Sequence, residues 1–236
     1  MKKLGIVGGV GYMSTLEYYR GINEGYNKRI NSQSKSGEYP HMVIESLNLA
    51  HAYALVEKKD WKGFADLFIK AIRILHGAGA EFAAIAANTA HIVFDEIQAQ
   101  SPIPLIGIVD ETCKRAKEKG YKKLIVFGTG FTMNSGMFEA KCPQYGLEAI
   151  VPDEAEREII HNIIFPNLEA GLVLENERET MLGVAKKMLA QHKACALVLG
   201  CTELSLVFKE GDLDTPLLDT GLIHIDAILD YMFNAA

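Results

Sequence analysis

The chain has 236 residues, 49% hydrophobic and 23% charged, with a formal net charge of −6. That balance fits a globular chain with a sizeable core, and the acidic surplus argues against nucleic acid as a main partner, which usually leaves a basic footprint. No apolar run approaches the roughly 20 residues of a membrane helix. The opening Met1-Lys2-Lys3-Leu4 runs at once into Gly8-Gly9, too short and Gly-rich for a signal peptide. No membrane partner is expected, and the expected compartment is the cytoplasm. The four cysteines (Cys113, Cys142, Cys195 and Cys201) contain no C-x-x-C pair, which argues for free thiols and against a zinc ribbon or thioredoxin-type motif. Cys113, Cys142 and Cys195 read as ordinary packing or surface residues.

Short apolar strands alternate with amphipathic helices throughout, which predicts an α/β fold with mainly parallel sheets. Leu4–Val7 is the first strand, and Ser14-Thr15 open a helix carrying Tyr18, Tyr19, Ile22 and Tyr26. Met42–Leu47 is a second strand. Trp61–His76 is a helix with Phe64, Leu67, Phe68, Ala71 and Leu75 on one face at spacings of three and four. Gly77-Ala78-Gly79 closes it, and a strand follows at Phe82–Ala86. A strand at Pro104–Ile108 and a helix at Asp110–Lys119 come next.

Lys123–Phe127 running into Gly128-Thr129-Gly130 repeats the opening theme of strand into glycine turn. Pro152–Phe165 reads as a long helix with Ile159, Ile160, Ile163 and Ile164 inward, halted by Pro166. A helix at Glu177–Gln191 leads into the strand Ala196–Leu199. Pro216–Leu218 is a last short strand and Leu222–Phe233 a closing helix.

Strand ends therefore recur as Gly8-Gly9, Ala87-Asn88-Thr89, Gly128-Thr129 and Gly200-Cys201-Thr202, two in each half. Ala87 and Cys201 stand 114 residues apart, about one small domain. Two similar lobes follow, each a mainly parallel sheet flanked by helices, with an active site in the cleft between them. The first lobe is expected at 1–102, completed by about 206–236, and the second at 103–205. Gln100-Ser101-Pro102-Ile103-Pro104 reads as the linker.

Residues at the carboxyl ends of parallel strands face the ligand crevice. There Cys201 is the strongest catalytic candidate, because a following helix would present N–H groups that favour thiolate. Thr89 and Thr202 can cap helix starts or, with Asn88 and Thr129, supply neutral donors around one anionic ligand. A carboxylate or enediolate suits that set. Gly9-Val10-Gly11-Tyr12-Met13-Ser14 nearly matches a dinucleotide fingerprint, but Ser14 stands at the third glycine and Glu45 lies well beyond the usual ~20 residues. Backbone amides of Gly9 and Val10 more plausibly hold a small carboxylate, or the glycines serve packing.

These segments together carry a resemblance. Gly5-Ile-Val-Gly-Gly9 with Ser14-Thr15, Asn88-Thr89-Ala-His91, Phe127-Gly128-Thr129 with Thr132-Met133, Ile163-Ile164-Phe165, Gly200-Cys201-Thr202-Glu203 and Asp219-Thr220 with Ile223-His224 span nearly the whole chain. The chain resembles the aspartate/glutamate racemases, two-lobed enzymes that use no pyridoxal or other cofactor and no metal. The resemblance implies an acidic amino acid as the small-molecule substrate, with one cysteine on each lobe flanking its α-carbon. It implies Cys201 as the base acting on the L-enantiomer, with Asn88, Thr89, Thr129 and Thr202 binding the substrate and Arg157 holding a side-chain carboxylate. A homodimer is expected on the same ground.

The second cysteine position is Ala87, which can neither take nor give a proton. Racemisation is then one-sided or weak, with a water or a hydroxyl such as that of Thr89 or Thr129 standing opposite Cys201. The resemblance to arylmalonate decarboxylases leaves a second reading, in which a single thiol protonates a carbanion formed by decarboxylation or isomerisation of a small diacid. A dicarboxylate-binding protein without turnover is the third. His91 and His224 are possible tuners of the site.

Overall fold

A computed structural model describes residues 1–30 and 38–234. The chain divides into two compact units, Met1–Ile108 with His224–Ala236, and Val109–Ile223. The elements of the first are β1 (Leu4–Gly8), α1 (Tyr12–Arg29), β2 (Met42–Ser46), α2 (Leu49–Glu57), α3 (Trp61–Gly77), β3 (Phe82–Ile85), α4 (Phe94–Gln100) and β4 (Leu105–Ile106). Next come α5 (Ile108–Glu118), β5 (Lys123–Phe127), α6 (Gly130–Asn134), α7 (Met137–Lys141), β6 (Glu148–Ile150) and α8 (Glu154–Ile164). The chain ends with α9 (Glu175–His192), β7 (Ala196–Leu199), α10 (Leu204–Val207), β8 (Leu217–Asp219) and α11 (Thr220–Asn234).

Each unit is built on a four-stranded parallel sheet, ordered β2-β1-β3-β4 in the first and β6-β5-β7-β8 in the second. The same order recurs because each unit repeats the same sequence of strand into turn. Register makes the repeat concrete. Val7 pairs with Ile85 and Phe127 with Leu199, and the next residue on each second strand donates its N–H back, Ala86 to Val7 (2.9 Å) and Gly200 to Phe127 (2.7 Å). Ala87 and Cys201 each follow one residue later, so they hold equivalent positions.

Parallel strands covered on both faces need continuous apolar runs. All of β1, β3 and β7 is buried, as is all of β5 past Lys123. In the first unit Phe64, Phe68, Ile72 and Leu75 form the buried face of α3, whose start is capped by Asp60 accepting from Gly63 N–H at 2.9 Å. The closing helix α11 packs on α1, and Gly21 and Gly25 make the approach possible. A methyl group at Gly21 would stand 2.9 Å from Ile225, and one at Gly25 would meet Leu229. Burying side chains such as Ile228 and Leu229 there is worth ~1.5–3 kcal/mol each.

The division falls later than the sequence suggests at both crossings. β4 pairs with β3, so the first unit runs to Ile108, and β8 pairs with β7, so the chain rejoins the first unit only at His224. Ile159 is 42% exposed, since the buried face of α8 is Ile160, Ile163 and Ile164. Tyr19 is likewise exposed, one residue off the buried stripe Tyr18, Ile22 and Tyr26. Among the described residues no helix is long and apolar enough to cross a membrane.

Candidate active site

In the first unit, the turns after β1 and β3 lie side by side at the carboxyl edge of the sheet. Ser14 Oγ donates to Ala86 O at 2.8 Å and ties them. The turn needs Gly9, whose φ of +81° is costly for a side chain and whose methyl would collide with the Leu47 backbone. Gly9 N–H donates to Thr15 Oγ1 at 2.9 Å, which places Gly9 as a turn and packing residue, while Val10 follows it half-buried.

Ala87 and Thr89 are half-buried and Asn88 is buried, at the head of a 3₁₀ turn over Thr89–Val93. That turn has no side-chain cap, so the capping role open to Thr89 is not used. His91 holds the turn instead. Ile108 N–H donates to His91 Nε2 (3.1 Å), so the other ring nitrogen carries the proton and Nδ1–H donates to Ala87 O (2.9 Å).

His224 is a second fixed ring. Nε2–H donates to Ile106 O at 2.8 Å, and Tyr18 O–H donates to Nδ1 at 2.7 Å. Burial first, and the neighbouring His91 second, push its pKa down to about 3, so it is a neutral structural group. His224 therefore acts on the sheet edge by geometry, not by charge.

In the second unit, β5 ends in Gly128-Thr129 and β7 in Gly200-Cys201-Thr202. Gly200 permits close contact of the strands, because a methyl there would sit 2.7 Å from Phe127 O. Thr129 is buried and its hydroxyl oxygen accepts from Thr132 N–H at 3.3 Å, capping α6. The cap expected from Thr202 is absent. Its hydroxyl donates to Glu203 Oε2 at 2.8 Å, and Cys201 Sγ–H donates to the same oxygen at 2.8 Å.

This carboxylate reverses an expectation. Burial, then the charge of Glu203 and the hydrogen bond to it, hold the Cys201 thiol well above the ordinary cysteine value. The Glu203 backbone N–H pulls the other way but more weakly. The helix that follows, α10, has four residues and offers too little aligned dipole to favour thiolate. The resting group is therefore a thiol whose proton already points at a carboxylate.

A second carboxylate stands near the first. Glu169, in the 3₁₀ turn Leu168–Ala170, is pushed up to about 7 by burial and then by Glu203. It also contributes to raising Cys201. Arg157 lies on α8, with a buried Nε that has no hydrogen-bond partner among the described residues. One turn along the same helix, His161 Nδ1 accepts from Gly130 N–H at 3.3 Å, so this face of α8 meets the turn that carries Thr129. Glu169 and His161 escape a sequence reading because their partners lie 34 and 31 residues away.

The profile of the Asp/Glu/Hydantoin racemase family matches residues 7–228. The chain is 27% identical over 223 residues to the broad specificity amino-acid racemase RacX of Bacillus subtilis, covering 92% of each. An aspartate racemase homologue from Pyrococcus horikoshii superposes with a TM-score of 0.83 at 31% identity, covering 98% of both chains. A crystal structure from Yersinia pestis, described as a candidate Asp/Glu racemase, gives 0.91 at 33% identity, covering 99% of this chain and all of the other. The chain belongs to the Asp/Glu/Hydantoin racemase family and is an isomerase of the racemase type.

Proposed function

We propose that the protein racemises acidic amino acids, of the aspartate/glutamate kind, by abstracting the α-proton with Cys201. The observation that carries this reading is the hydrogen bond from Cys201 Sγ–H to Glu203 Oε2. A thiol of raised pKa is a poor base until its proton has somewhere to go. Glu203 accepts it, and the thiolate then takes the α-proton. The negative charge that develops on the substrate's α-carbon and carboxylate is met by donors fixed in advance, the arrangement that lowers such barriers most.

Thr129 is the hydroxyl donor from the second unit, and Asn88, Thr89 and the Val10 amide are those from the first, while the Thr202 hydroxyl and the Gly9 amide are engaged by Glu203 and Thr15. Arg157 holds the side-chain carboxylate, with its unmatched buried Nε as the supporting feature. At Ala87 no proton can be exchanged, so reprotonation from the second face falls to a water or a nearby hydroxyl such as that of Thr89. Exchange of the α-proton is accordingly faster from the L-side, and net racemisation is slow in both directions. No cofactor enters this scheme, since the thiol and carboxylate supply the proton transfers. We place the protein in the cytoplasm, on the ground of its free thiols, and as a homodimer, as the family resemblance implies.

Chiral chromatography of L-aspartate and L-glutamate incubated with the enzyme tests the reading. The D-enantiomer of one or both accumulates with the wild type and not with Cys201→Ala. The Ala87 position also favours a second reading, protonation of a carbanion by a single thiol after decarboxylation of a small diacid. Release of CO2 from a substituted malonate, with no D-amino acid formed, would select it.

A further inference from the structure

Two cysteines outside the candidate site meet in the interior of the second unit. Cys113, in the middle of α5, and Cys142, which opens the 3₁₀ turn Cys142–Tyr145 after α7, are both fully buried, with their sulfurs 3.5 Å apart. The segments that carry them are pinned on both sides. Asp110, one helical turn before Cys113, accepts from Tyr145 O–H at 2.9 Å and pairs with Lys141 at 3.3 Å. Tyr145 and Lys141 bracket Cys142, so the two sulfurs are held facing one another.

We propose that Cys113 and Cys142 form an oxidation site, a dithiol that closes to an intrachain disulfide with a peroxide or a small-molecule disulfide as oxidant. A disulfide needs sulfurs about 2.05 Å apart, an approach of about 1.5 Å from the present contact, within reach of side-chain rotation and small backbone shifts. The hydrogen bond between the two sulfurs lowers the pKa of Cys142 and raises that of Cys113. Cys142 is then the attacking sulfur and Cys113 the resolving one.

The reaction balances with one equivalent of hydrogen peroxide. The Cys142 thiolate attacks one peroxide oxygen, the O–O bond breaks, and the sulfur becomes a sulfenic acid with release of hydroxide, which takes up a proton to become water. The Cys113 sulfur then displaces the sulfenic oxygen as a second water. Two thiols are oxidised by two electrons and one peroxide is reduced. With oxidised glutathione the intermediate is a mixed disulfide and two glutathione thiols leave.

The test uses the intact wild-type chain, exposed separately to hydrogen peroxide and to oxidised glutathione, then alkylated in denaturant and digested without reductant. The expected product is a single linked peptide pair joining Cys113 to Cys142, two hydrogens lighter than the free peptides and separated again by dithiothreitol. In Cys142→Ser the link is absent and Cys113 is recovered alkylated. Recovery of both residues as free thiols while Cys195 or Cys201 has been oxidised would overturn the proposal. So would a link from either residue to another chain. The readout is a mass, so it stands or falls apart from racemase activity.

Discussion

Glu203 Oε2 lies 2.8 Å from both Cys201 Sγ and Thr202 Oγ1, so one carboxylate oxygen gathers the thiol proton and the neighbouring hydroxyl proton. Replacing it by Gln keeps the shape and removes the proton acceptor. Glu203→Gln is expected to lower kcat/KM by roughly 10²–10⁴-fold, the span of general acid–base assistance. The same change removes a charge that raises the thiol pKa. Alkylation of Cys201 by iodoacetamide at pH 8 should become faster as turnover falls. Slower or unchanged alkylation would show that Glu203 does not control the thiol.

His224 sets an acid limit on the first unit. The ring titrates near 6.5 in the unfolded chain and at about 3 when folded, a depressed value caused mainly by burial. Below 6.5 the unfolded chain takes up a proton that the folded chain refuses. The stability this ring contributes is whole above pH 6.5 and is lost towards pH 3, at up to ~1.4 kcal/mol per pH unit. Urea unfolding at pH 7 and pH 4.5 should show a smaller loss in His224→Gln than in the wild type. Equal losses would mean that the ring is accessible to protons.

Arg157 is expected to discriminate substrates by charge. Loss of a hydrogen bond to a charged group costs about 1.5–3 kcal/mol. Arg157→Ala should therefore raise KM for aspartate or glutamate by roughly 10–150-fold, with kcat and any activity on neutral amino acids changed far less. An equal loss on neutral substrates would assign the residue to the packing of α8.

Ala87 occupies the position equivalent to Cys201, and a thiol placed there supplies the proton donor that the first unit lacks. In Ala87→Cys, racemisation should rise by about 10²-fold or more in both directions, measured by chiral chromatography starting from each enantiomer. No gain in either direction would mean that a hydroxyl or water already serves that face fully.

The strands were legible because a parallel strand buried on both faces must be a continuous apolar run, as Leu4–Val7, Leu124–Phe127 and Ala196–Leu199 are. Edge and connecting elements carried weaker signals. β6 is three residues long with an exposed Glu148, and α2 is announced mainly by Asn48, whose side chain accepts from Ala50 and His51 N–H. Cys201 was visible because a thiol at a strand end is chemically distinctive. Its protonation was not, since burial and the Glu203 and Glu169 carboxylates outweigh the backbone N–H that a turn predicts. The Cys113–Cys142 contact was hidden by a sequence separation of 29 residues and by a loop-like setting that gave no sign of burial.

The most direct measurement follows the α-proton itself. L-Aspartate and L-glutamate incubated with the enzyme in D2O, monitored by proton NMR, should lose the α-proton signal of at least one of them. Cys201→Ala, shown to be folded by circular dichroism, should leave that signal intact. Exchange that persists in the folded Cys201→Ala variant, or its absence from the wild type with both amino acids, would contradict the assignment of Cys201 as the base for this substrate class.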